Sequence, residues 1–191
     1  MAIVGCDLTR GRGLGGCLTT VGGVKNVYFA DFGDATTAAT SSELNQFDGV
    51  PNVYKYAMRR GMGTYNETIN ASAENGTVFY TPEVGLKLSK LTKKDQNELK
   101  LIAQNTLICF VELNELNDNG KNVIMALGTD TGANISGGTN TAGAAMGDFN
   151  GYEWTFSAES SYPTWVVADY TSSPLDNAGF NGGAGVTVVA V

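Results

Sequence analysis

Histidine is absent from the 191-residue chain. With it go the commonest general base, the commonest zinc ligand and the usual partner of a serine or cysteine nucleophile. Cysteine is scarce: Cys6, Cys17 and Cys109 are an odd number without metal-type spacing, which argues against a disulfide framework. Cys109, inside LICFVEL, reads as core. No apolar run approaches the roughly 18 residues of a membrane span, and the N-terminus lacks the charged-then-apolar layout of a secretory signal. The expectation is a soluble protein made in the cytoplasm, with no membrane partner. No pair of carboxylates is singled out by its local setting, so no catalytic residue, metal or cofactor is expected.

Glycine, by contrast, is abundant, with 25 residues against four prolines. Gly11, Gly13 and Gly16 form a G-x-G-x-x-G pattern after the apolar run MAIVG. Such a loop binds a dinucleotide only if it opens a helix whose N-terminus receives the pyrophosphate. Here CLTTVGGVKNVYFADFG follows, and its paired threonines, second glycine pair and β-favouring Val27-Tyr28-Phe29 oppose a helix. Gly-Lys-Ser/Thr, the core of a phosphate-binding P-loop, is missing too. The segment reads instead as a Gly-rich arm carrying Arg10 and Arg12.

The remaining chain reads as mainly β, with turns rich in Gly, Asn, Ser and Thr. Strands are predicted over Val24–Phe29, Val53–Met58, Gly63–Ala71 and Thr77–Leu88, with AENG as a turn. Sequons at Asn66, Asn70 and Asn75 read as strand and turn positions. One helix is predicted from about Lys93 to Asn105, capped by Thr92 with Asp95 three residues on and striped by Leu99, Ile102 and Ala103. LICFVEL and KNVIMAL then form a hairpin pair around Asn114–Gly120. Read as a calcium loop, that turn puts Ala126 where the bidentate Glu belongs, and the reading fails. In GYEWTFSAES, Tyr152, Trp154, Phe156 and Ala158 share one face of a strand. Residues 31–49 and 128–150 are expected to be long polar loops.

Charge is uneven. Residues 1–100 carry 11 Lys or Arg against 10 Asp or Glu, whereas Lys121 stands alone against nine acids in residues 101–191. An acidic half of this kind repels nucleic acid and orients like subunits against one another.

The motifs LTRGR at Leu8–Arg12, VGGVKNVYFADFG at Val21–Gly33, YKYAMRRGMGTYNETINAS at Tyr54–Ser72, NGTVFY at Asn75–Tyr80, DNGK at Asp118–Lys121 and TAGAAMGDFNGYEWTFSAE at Thr141–Glu159 occur in that order. Over the whole chain this succession resembles phage virion structural proteins, in particular tail tube proteins. The resemblance implies a two-sheet β-sandwich or barrel with one flanking helix and extended arms. It implies rings, commonly hexameric, stacked into a tube that conducts DNA between head and baseplate or tip. Implied partners are copies of itself, other tail proteins (sheath in a contractile tail, baseplate or tip, terminator) and DNA in transit without specific binding. The implied location is the virion tail, after synthesis in the host cytoplasm. Residues 1–23 are then an assembly arm and 24–191 one β-rich domain. Arg10, Arg12, Val24 and Tyr28 are the expected contacts between subunits, and Glu112, Glu115, Asp118, Asp130 and Asp148 the expected lumen-facing acids. Deleting residues 2–20 is expected to leave a folded monomer that no longer stacks, checked by electron microscopy.

Two other readings stand beside this one. A capsid decoration or head-completion protein would stay small when purified alone. A secreted carbohydrate-binding β-sandwich would line a groove with Tyr152, Trp154 and Trp165, although the alternation of Tyr152, Trp154 and Phe156 reads more simply as core.

Overall fold

Six consecutive buried residues, Leu107 to Glu112, mark the centre of the molecule. A run of this kind belongs to a strand covered on both faces. The computed structural model describes residues 11, 12 and 20–190. The strands, in chain order, are β1 (Val24–Asp31), β2 (Thr36–Thr40), β3 (Glu43–Asp48), β4 (Asn52–Ala57), β5 (Gly63–Ser72) and β6 (Thr77–Ser89). After helix α1 (Lys93–Gln104) come β7 (Leu107–Leu116), β8 (Asn122–Leu127), β9 (Ala133–Thr141), β10 (Gly151–Ala158), β11 (Trp165–Val167) and β12 (Thr187–Val189).

Among the described residues the fold is mainly β with one α-helix, built on a large mixed sheet. Its main path runs β2-β3-β11-β8-β7-β9-β10-β6-β5, and a branch joins β7 to β1, β4 and β12. Alternate residues of β1 and β7 point into two different cores. Val27, Phe29, Cys109 and Val111 pack with Val84, Leu86, Tyr152, Trp154 and Phe156. Tyr28, Ala30, Ile108 and Phe110 pack with Leu44, Phe47, Val53, Leu175 and Phe180. The second core explains why the C-terminal segment, poor in regular structure, is held: it covers a sheet face that would otherwise be wet.

The predicted strands, hairpin and helix are all present. Thr92 caps α1, its side chain accepting from the Asp95 N–H at 3.1 Å. On the predicted helical stripe Ile102 is buried and Leu99 packs against the first core, whereas Ala103 is exposed. Tyr152, Trp154, Phe156 and Ala158 are buried as their alternation predicts, which leaves the first two with no sugar-binding face.

Two predicted loops are corrected. The segment 31–49 contains β2 and β3, because Leu44 and Phe47 are fully buried. Their spacing of three breaks strand alternation, and the pairing shows how both turn inward: Ala38 faces Gln46 while Ala39 faces Leu44, so Asn45 is an extra residue in β3. The segment 128–150 contains β9. Its polar sequence forms a strand because β10 pairs with it throughout. Gly138 lies so close to Trp154 that a Cβ there would sit 3.1 Å from the ring.

Candidate assembly surfaces

The antiparallel registers place the connections at two opposite ends of the sheet. At one end, which we call the loop end, lie residues 58–62, 117–121 and 142–150. Lys87 N–H donating to Met62 O (2.9 Å) and Lys90 N–H donating to Asn150 O (2.8 Å) tie these turns to β6. At the other, the cleft end, lie residues 32–35 and 128–132 and the C-terminus of α1. Phe32 N–H donates there to Thr106 O (3.1 Å).

The expected arm residues separate. Arg10 lies outside the described residues, and Arg12 is exposed. Val24 and Tyr28 are corrected: they are 4% and 1% exposed within their own subunit and cannot serve as an arm. Val24 packs so tightly that a Cβ on Gly63 would approach its own to 2.7 Å. The chain enters β1 through Gly23 at a φ of 103°, a conformation suited to glycine. Asn114 anchors this entry, its N–H donating to Gly23 O at 3.0 Å and its side-chain amide to Gly22 O at 3.3 Å.

The expected lumen acids also separate. Glu112 is corrected, being 1% exposed. Its Oε2 accepts from Asn26 Nδ2 and from the Tyr28 hydroxyl, both at 2.6 Å, and its Oε1 lies 2.8 Å from Lys25 Nζ. Burial by itself raises this carboxyl, but bonds from Asn26, Lys25 and Tyr28 and the Lys25 charge outweigh burial and hold it below the ordinary value. The same carboxylate, after burial, helps push the Tyr28 hydroxyl far up. Glu112 is therefore a structural anchor between β1 and β7. One signal of this is legible in the sequence: an acid inside a run of core residues needs a partner.

Glu115 and Asp118 sit at the loop end together with Asp148, and Asp130 sits at the cleft end. Asp148 Oδ2 accepts from the N–H groups of Ala144 and Ala145 at 2.9 and 2.8 Å, which lowers its pKa. Asp130 Oδ2 accepts from Ser161 N–H and Oγ at 3.2 and 3.1 Å. Both carboxylates thus hold turns in shape. Asp118 lines an open cleft with Glu43 and Asp169, two acids that sequence distance hid. Asp169 in turn accepts from the side-chain amides of Asn117 and Asn119. Among the described residues no group of three His, Cys, Asp or Glu is placed to hold a metal ion.

Among the described residues the sheet has open margins. The main path ends at β2 on one side and at β5 on the other. The β5–β6 hairpin is long, running in register from Gly63 opposite Leu86 to Ser72 opposite Thr77. Because β10 covers β6 over residues 83–89 and Ser160 bridges Tyr80, only the outer end of the hairpin projects as a ribbon. Ile69, Val78 and Phe79 are exposed there, at 65%, 54% and 41%. Of the three sequons, Asn66 and Asn70 lie on β5 and Asn75 in its turn.

Comparison with protein-family models, with curated protein sequences and with solved structures found no match.

Proposed function

We propose that this chain is a structural subunit that joins copies of itself into rings, and that the rings stack as a tail-tube channel for DNA. The observation that carries the reading is that, among the described residues, the main strand path ends in two unpaired margins, β2 and β5, at its opposite ends. Unpaired N–H and C=O groups on such edges template another strand. Joining β5 of one copy to β2 of the next is a heterologous contact, and it closes into a ring when the rotation between copies permits. The order of motifs that resembles tail tube proteins supports the same assignment. A cleft edged by Glu43, Asp118 and Asp169 suits a wall past which a polyanion slides, since basic contacts to phosphate would retain it.

The test is negative-stain electron microscopy across a concentration series, with mass from light scattering. The expected result is rings or hollow tubes of uniform width. Ala38→Lys on β2 and Ile69→Lys on β5 are expected to abolish rings, because edge lysines blunt strand pairing. Both positions are exposed, so each change is expected to move stability by only about 0.5 kcal/mol. A chain that stays monomeric at every concentration, or lysine variants that form normal rings, would sink the proposal.

A further inference from the structure

Met146 is the most exposed large apolar side chain described, at 108%. Among the described residues it has no partner, yet hydrogen bonds hold the loop that presents it. Asp148 accepts from Ala144 and Ala145, and its own N–H donates to Ala145 O at 3.1 Å. A single exposed apolar residue is ordinary on a protein surface, but the opposite end of the sheet holds a matching recess. A cavity of about 150 Å³ opens there between α1 and the β1–β4 pair, walled by Phe29, Tyr54, Tyr56, Leu101 and Ile102. Tyr54 and Leu101, 49% and 52% exposed, leave its mouth open.

The loop end carries charge of both signs, with Glu115 and Asp118 beside its bases, whereas the charged groups lining the recess are acids. Arg59, Arg60, Lys90, Lys93 and Lys94 belong to connections and the helix start at the loop end, all exposed. Asp31 and Glu98 line the recess, and Asp34 lies in the adjoining groove with Asp31. Lys87 is already paired with Glu153 at 2.7 Å, and the Asp148 carboxylate is engaged by its own loop.

We propose that the occupant of this recess is Met146 of a second copy, so that copies join loop end to cleft end. An unbranched thioether fits an irregular aromatic recess and makes favourable sulfur–ring contacts. The basic rim then meets Asp31, Asp34 and Glu98. Because the two surfaces differ and lie at opposite ends, the contact is heterologous and propagates along a stack. This deepens the tube reading, and rests on it for the ring that the stack repeats.

The test uses two full-length variants, Met146→Asp and Leu101→Glu, followed by sedimentation velocity and electron microscopy. Both side chains are exposed, and an unchanged Tm checks the fold. Each variant alone is expected to lose end-to-end association by about 10- to 100-fold in apparent Kd. Mixed, they are expected to recover one contact, since each retains the surface the other lacks, and to stop at that single junction. Normal tubes from Met146→Asp would overturn the contact while leaving the tube reading intact. Recovery on mixing when the wild-type chain never forms rings would support the contact and overturn the tube reading. No recovery on mixing overturns the contact.

Discussion

Glu112 gathers the most chemistry of any one residue in this fold. Three donors from β1 converge on it, and it holds β1 to β7 where both strands are buried. A carboxyl whose folded value is depressed stabilises fully above its unfolded value, about 4.3, and that contribution is lost as pH falls through the folded value. Urea denaturation is therefore expected to show stability declining as pH drops below about 4.5. Glu112→Gln is expected to flatten that decline. It should also cost about 1–3 kcal/mol at pH 7, because donors lose their acceptor while Lys25, half exposed, keeps water as an alternative. An unchanged acid profile in the variant would show that another carboxyl governs it.

At the scale of elements, the legible parts were those whose local pattern matched their final burial. In β10, apolar and polar residues alternate and are buried and half-buried in turn, and α1 carries its own cap. The segment containing β2 and β3 was not legible. TTAAT has no large side chain, and Leu44 and Phe47 are spaced for neither a helix face nor a regular strand until Asn45 bulges out. Phe47 touches Phe110 edge-on at 5.2 Å and Phe180 at 5.7 Å between ring centres. Phe47→Ala is accordingly expected to destabilise the chain by about 3–5 kcal/mol in urea. A polar loop would have shown no such loss. The polar β9 was equally hidden, since its pairing partner and not its composition makes it a strand.

At the scale of the whole molecule, charge is arranged differently from its order along the chain. Arg59, Arg60, Lys90, Lys93 and Lys94 of the first half stand at the loop end beside Glu115 and Asp118 of the second, whereas Asp31, Asp34 and Glu98 stand at the cleft end. End-to-end association driven by this polarity is expected to weaken with salt, because screening at 1 M acts over about 3 Å. Light scattering at 0.05 and 1 M NaCl checks this, and association that strengthens at high salt would assign the contact to apolar burial alone. Strand pairing along β2 and β5 is expected to be less sensitive, since backbone groups carry no net charge.

The sequence by itself determined the β class, the single helix with its cap, the central hairpin and the apolar face of β10. Each depends on residues near one another in the chain, through periodicity, capping and turn chemistry. Only the tertiary structure decided that Val24, Tyr28 and Glu112 are interior, that two polar stretches contain strands, and that Met146 and its matching recess lie at opposite ends. Those outcomes depend on which strands become neighbours. A residue's burial and partners are set by the strand that packs across from it, and that strand lies far away in sequence.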